Sequence, residues 1–109
     1  MSEHPPLSIH FVAQIARELR MVVCGELVFE TAREFEAALV AELSERGRVL
    51  LDFSELTFMD SSGIRVLVSA MKLAQRCGWE LGIRDEMPEH VRSVLRTTGV
   101  EPFLPLVAE

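Results

Sequence analysis

The sequence predicts an α/β fold, a single four-stranded mixed β-sheet with helices packed against it, and three observations carry the prediction. Strand-like and helix-like hydrophobic patterns follow one another in the order β-β-α-β-α-β-α. The run Val49-Leu50-Leu51-Asp52-Phe53 is apolar at all but one position, the pattern of a central strand covered on both faces. The two strand-helix-strand crossovers then require parallel pairing with right-handed connections. A chain of 109 residues buries one proper core and not two, so residues 1–109 are expected to form one domain.

Each element has its own signal. Ile9, Phe11, Ala13 and Ile15 alternate with other residues, as do Leu19, Met21 and Val23, and the short break at Ala16 and Arg17 makes the pair a β-hairpin. Thr31, with Glu34 three positions later, forms a capping box that opens the first helix; Ala32, Phe35, Leu39 and Leu43 are its apolar stripe and Gly47 closes it. The central strand over 49–53 comes next. A second helix over 64–77 follows it, and Trp79, Leu81 and Ile83 alternate as the last strand. Pro88 opens a third helix carrying Val91, Val94, Leu95 and Thr98 up to Gly99. The Pro-punctuated tail from Glu101 to Leu106 is left unassigned or forms one short turn.

Composition narrows the class of function. Hydrophobic residues make up 49% and charged residues 26%, the balance of a globular domain. No apolar run approaches the roughly 20 residues of a membrane-spanning helix, and the first ten residues, with His4, Pro5 and Pro6, lack a basic start followed by an apolar stretch. The expectation is a cytoplasmic protein without direct membrane insertion. A net charge of -6 argues against a nonspecific nucleic-acid surface and for a protein partner. Cys24 and Cys77 lack CxxC spacing, which predicts buried, reduced thiols and no metal site.

The candidate site follows from topology. Parallel crossovers bring strand C-termini to one sheet edge, where loops lead into helix N-termini. The segments Gly25-Glu26-Leu27-Val28 and Met59-Asp60-Ser61-Ser62-Gly63 should therefore meet. Asp60 or a serine can cap the helix, and Gly63 permits a tight approach. At about 100° per residue, Arg65, Ser69, Lys72 and Arg76 fall on one narrow polar strip. The rest of the helix, through Leu67, Ala70, Ala74 and Cys77, is nearly all apolar and expected to be buried. A partner-binding face of Glu26, Asp60, Ser61, Ser62, Gly63, Arg65, Ser69 and Lys72 results. A nucleophilic Ser61 would need a base, yet His4, His10 and His90 sit in no motif that converges on it, and the turn lacks G-x-S-x-G spacing. Nor is there a G-x-G-x-x-G or P-loop for a nucleotide.

Leu51-Asp52-Phe53 followed by Phe58-Met59-Asp60-Ser61-Ser62-Gly63-Ile64, with Gly25-Glu26-Leu27 and Thr31-Ala32 upstream, resembles the STAS domain of the bacterial anti-sigma factor antagonists. The likeness covers essentially the whole chain. It implies a non-enzymatic protein, needing no cofactor, that binds an anti-sigma factor serine kinase and so frees a sigma factor. It further implies phosphorylation by that kinase on the first serine of the motif, here Ser61, and reversal by a PP2C-type phosphatase. The helical wheel alone leaves Ser61 and Ser62 both open. Val28 and Arg65 stand where family members often carry Asp and Gly. Stand-alone STAS proteins also serve as subunits of lipid-transport ATPases or of stress-sensing assemblies, the alternative reading of the same resemblance.

Overall fold

Side-chain alternation along the strands assigns the two faces of the sheet before any helix is placed. The computed structural model describes residues 7–13 and 19–108. Strand β1 (Ser8–Ala13) pairs antiparallel with β2 (Leu19–Leu27), Ile9 opposite Val23 and Phe11 opposite Met21. Ile15 and the break at Ala16 and Arg17 lie outside the described residues. β3 (Arg48–Asp52) pairs parallel with β2 on one side and with β5 (Glu80–Arg84) on the other, so the apolar run does form the centre of the sheet.

Helices α1 (Phe29–Arg46), α2 (Ser61–Cys77) and α3 (Glu89–Thr97) contribute to one core. Phe35, Leu39 and Leu43 of α1, Val66 and Leu67 of α2, and Val91 and Leu95 of α3 join Met21, Val23, Val49, Leu51 and Ile83 there. These strand residues share one parity, so the helices cover one face of the sheet. Each fully buried Leu or Phe contributes about 1.5–3 kcal/mol relative to exposure. Gly47 takes φ +76° at the end of α1, and its N–H bonds the Leu43 carbonyl, the stop that glycine permits cheaply.

The other parity holds the ionic anchor of the opposite face. Asp52, 3% exposed, accepts from the Ser54 N–H at 2.9 Å and lies 3.2 Å from Arg84 and 3.6 Å from Arg20. Burial pushes the Asp52 carboxyl up, but the Ser54 hydrogen bonds and the charges of Arg84 and Arg20 outweigh it and hold the group below its ordinary value. One acidic side chain thus ties β2, β3 and β5 together.

Two short strands extend the expected four. β4 (Leu56–Met59) pairs parallel with the end of β2, and β6 (Leu106–Val107) pairs parallel with β5. The first is hidden in the sequence because Leu56 and Met59 are buried while Thr57 and Phe58 between them are exposed, so it does not alternate. The second gets its order from the β5 edge, where the Ile83 N–H bonds the Pro105 carbonyl and the Asp85 N–H bonds that of Val107. Local patterning cannot announce such borrowed pairing. A 3-10 turn, Glu101–Phe103, accounts for the expected turn in the tail.

Three local expectations change. Helix α1 begins at Phe29 rather than after Thr31. Thr31 sits in the third helical position, where its hydroxyl accepts from the Val28 N–H at 3.0 Å and lies 2.7 Å from the Glu26 carbonyl, so it acts as the back-reaching arm of the cap. Residues 25–27 are strand rather than loop, since β4 pairs with them across a bulge at Gly25, whose φ is +97°. Cys77 is exposed, not buried, because the last turn of α2 runs past the core. Cys24 is half-buried, and burial together with nearby Glu55 pushes its thiol up, away from reactivity.

The Asp52 anchor generates a pH prediction. Its folded-state value is depressed, so its contribution is fully present above its unfolded value near 3.8 and is lost as pH falls through the folded value. Asp52→Ala should lose about 3 kcal/mol at pH 7, since it strands the partly buried Arg20 and removes one of the partners of Arg84, which keeps Glu86. The gap from wild type should narrow as unfolding is followed below pH 4; a constant gap would assign the loss to packing alone.

Candidate functional site

The site begins with how closely α2 approaches β2. Leu27 and Met59, both essentially inaccessible, are paired neighbours at the ends of β2 and β4. The Asp60 N–H then bonds the Leu27 carbonyl at 3.1 Å, locking the start of α2 to the end of β2. Gly63 is buried directly above them. A Cβ there would stand 2.9 Å from Leu27 Cγ and 3.0 Å from Met59 Cγ, so only a glycine lets the first turn of α2 settle this low.

Asp60 is the cap of α2. Its backbone is extended and its Oδ1 accepts from the Ser62 N–H at 2.8 Å, satisfying one of the free donors of the first turn. Ser61 is consequently the first helical residue and is exposed; Ser62 follows and is half-buried. Glu26 pairs with Phe58 across the strands, which places it beside the same turn. The structure thus brings Glu26, Asp60, Ser61, Ser62 and Gly63 together at one sheet edge.

The polar strip of α2 is where the wheel places it. Arg65, Ser69, Lys72 and Arg76 are all exposed, while Ile64, Val66, Leu67, Ala70 and Ala74 are buried. The strip is not one site, however. Arg65 lies about one turn beyond Ser61, whereas Lys72 lies about 16 Å along the axis, beyond a physiological Debye length of about 8 Å. Lys72 borders a separate apolar groove of about 320 Å³ formed by Val68, Met71, Val100, Phe103 and Leu104.

A second groove, of about 460 Å³, runs between the N-terminal turns of α1 and α2 and is lined by Phe29, Glu30, Arg33, Glu36, Ser62 and Arg65. Sequence reasoning did not single out Phe29, 74% exposed at the first position of α1, or Phe58, which stacks on His90 with ring centroids 4.8 Å apart. Phe29 carries a legible signal, a large aromatic off the Ala32-Phe35-Leu39-Leu43 stripe. His90 is engaged by Phe58, and His10 lies on β1 opposite Val22. Among the described residues no histidine hydrogen-bonds either serine, and none of the described His, Cys, Asp and Glu side chains form a group able to hold a metal. No helix among them is long and apolar enough to cross a membrane. The arrangement offers an exposed hydroxyl at a helix start, flanked by apolar and charged surface.

Comparison with known proteins places this geometry. The family described as "Mlab, STAS domain" matches residues 10–107. A protein of Bordetella bronchiseptica named as a candidate anti-sigma factor antagonist, BtrV, is 29% identical over 89 residues, covering 79% of this chain and 76% of that protein. An anti-sigma factor antagonist from Mycobacterium paratuberculosis superposes with a TM-score of 0.80 at 20% identity, over 93% of this chain and 85% of that one. The anti-sigma factor antagonist SpoIIAA, unphosphorylated, gives 0.73 at 18% identity over 94% and 88%. Its phosphorylated form, from Bacillus, gives 0.67 at 17% identity over 94% and 91%. At these identities the structural likeness establishes the fold.

The packing at Gly63 is open to measurement. Gly63→Ala should destabilise the domain by about 1–3 kcal/mol, because the added methyl meets buried Leu27 and Met59. Urea unfolding reads the loss directly; a variant as stable as wild type would mean that α2 can lift away without cost.

Proposed function

This chain belongs to the STAS domain family, and on that premise we propose that it is an anti-sigma factor antagonist, a cytoplasmic regulatory binding protein and not an enzyme. It binds an anti-sigma factor serine kinase through the face around the start of α2, and so releases a sigma factor. Phosphorylation at Ser61 switches binding off, and a PP2C-type phosphatase resets it. The observation that carries the reading is the exposed hydroxyl of Ser61 on the first residue of α2, held against the end of β2 by Asp60 and Gly63. The name of the Bordetella relative and the two solved states of SpoIIAA support it.

The physics of such a switch is electrostatic. A phosphate adds about -1.5 to -2 charges, which a helix start accommodates at a gain of about 0.3–1 kcal/mol. The fold therefore stays as it is. A negative group of a partner held about 5 Å away, at an effective dielectric near 20, would instead be repelled by roughly 3 kcal/mol per unit charge, about a hundredfold in affinity. Glu26, Asp60, Ser62, Gly63 and Arg65 form the centre of the contact surface in this proposal, with Ser69 and Lys72 toward its rim. Exposed Phe29 and Phe58 supply apolar area beside the serine.

The same face would serve a STAS subunit of a lipid-transport ATPase or stress-sensing assembly, and the family description names no sigma system. Affinity capture of the full chain from its native cell, with mass spectrometry of what is retained, separates the two readings. Recovery of a transport ATPase and no serine kinase would overturn the sigma assignment.

With the cognate kinase and ATP, Ser61→Ala should fold, bind and refuse phosphate, while Ser62→Ala should still be labelled. Ser61→Asp should bind more weakly than wild type, by less than true phosphorylation does, since it adds one charge rather than nearly two. Label on Ser62, or Ser61→Asp binding as tightly as wild type, would reject the mechanism. Arg65→Glu together with Lys72→Glu should slow association, most visibly at low salt, with little change in melting temperature. Unchanged binding would remove the α2 strip from the interface.

A further inference from the structure

We propose that a phosphoryl group on Ser61 is held by the chain itself, by the guanidinium groups of Arg65 and Arg33, which close on it as an arginine–phosphate clasp. The inference rests on Ser61 as phosphoacceptor, the reading given above, but its observations are separate. Arg20, Arg46, Arg48, Arg84, Arg92 and Arg96 each hold a carboxylate. Arg33 and Arg65 form no ion pair among the described residues, although Glu30 and Glu36 line the same groove with them. Arg76, at the far end of α2, is the other described arginine without one. In a chain with 17 acidic side chains against 11 basic ones, two uncommitted guanidiniums lining a single groove stand out as capacity for an anion.

Helix geometry brings Arg65 to Ser61, and Arg33 shares a groove with Arg65 and the neighbouring Ser62. Ser61 and Arg65 are related as i and i+4, about 6 Å apart along the axis and about 40° around it, the spacing at which oppositely charged side chains meet. Helical side chains tilt toward the N-terminus, so Arg65 leans over the turn that carries both serines. Arg33 reaches the same groove from α1, and Ser62 forms part of the wall between them. A guanidinium presents parallel N–H donors that match two phosphate oxygens, which the monodentate alternatives around it cannot do.

The opposing charges are Glu30 and Glu36 from α1, Glu26 from the end of β2, and Asp60 from the turn itself. The Asp60 carboxylate already accepts from the Ser62 N–H, so it stays at the cap rather than swinging toward Arg65. Helix α3, packed on β4, adds His90, stacked on Phe58. A dianion outcompetes these carboxylates for the guanidiniums by its higher charge and third acceptor oxygen. The clasp changes what phosphorylation does. Part of the new charge is neutralised inside the domain, α1 is tied to α2, and the phosphate is shielded from the phosphatase, so that the modified state, once made, is removed slowly.

The test installs phosphoserine at position 61 during translation, without any kinase, and follows its second ionisation by phosphorus NMR. Neighbouring cations favour the dianion, so the wild-type phosphoprotein should titrate about one unit below the Arg33→Gln/Arg65→Gln double variant, which should return toward the free value of about 6. The difference should shrink at high salt, and Arg65→Gln alone should remove most of it. Equal titration of wild type and double variant overturns the clasp. Should the double variant not fold, the wild-type phosphoprotein is compared with its urea-unfolded form, and equal values again overturn it. A shifted titration combined with failure of the cognate kinase to label Ser61 overturns the proposed switch and leaves the clasp standing; labelling without a shift does the reverse.

Discussion

The contact between Gly63 and the paired ends of β2 and β4 is the constraint on which the rest of this structure depends. Leu27 and Met59 form the floor, the Asp60 N–H to Leu27 carbonyl bond sets the height, and a missing Cβ at Gly63 lets the helix descend onto them. Once the first turn of α2 is fixed there, the hydroxyl of Ser61 can only face outward. The Leu67 and Ala70 side of the helix is then committed to the core. The exposed serine is thus a consequence of packing beneath it, and local flexibility is not needed to present it.

The charges of the domain divide into two groups with different work. Asp52, nearly inaccessible, draws Arg20 and Arg84 across three neighbouring strands on the face that the helices leave uncovered. Arg92 similarly joins Asp85 to Glu101 and so holds the tail turn to the body of the fold. The pairs around Asp52 stabilise because their partners are fixed by strand pairing, which lowers the entropy lost in bringing them together. On the outer side of α1 and α2, Arg46 holds Glu42, whereas Arg33, Arg65, Lys72 and Arg76 have no ion-pair partner among the described residues. They are left for whatever approaches that layer.

This separation explains how a change of charge at the helix start can alter recognition without altering the fold. The core draws its stability from apolar side chains distributed over all three helices and the central strands. An added anion at the first residue of α2 meets a helix terminus that tolerates it and a surface of mixed charge. What the anion can change is the free energy of a second body at the same edge, and the extent depends on how much of its charge the surrounding arginines compensate.

By itself the sequence determined the layer structure: a central strand over 49–53, two parallel crossovers, three helices with apolar stripes at Phe35-Leu39-Leu43, Leu67-Ala70-Ala74 and Val91-Leu95, and a serine pair at a strand-to-helix turn. Those features are written in local periodicity and in glycine and aspartate chemistry, which act within a few residues. The bulged end of β2 and the short strands β4 and β6 were decided only by tertiary structure, because their order comes from hydrogen bonds lent by a distant strand; the start of α1 at Phe29 is set by Thr31 reaching back to Val28 and Glu26. The exposure of Cys77 and the grouping of Phe29, Arg33 and Arg65 around Ser62 were likewise beyond the sequence. Periodicity states which face of a helix is apolar. Which residues of two different helices end on the same side of one groove depends on how those helices cross, and that is fixed by the packing of the whole core.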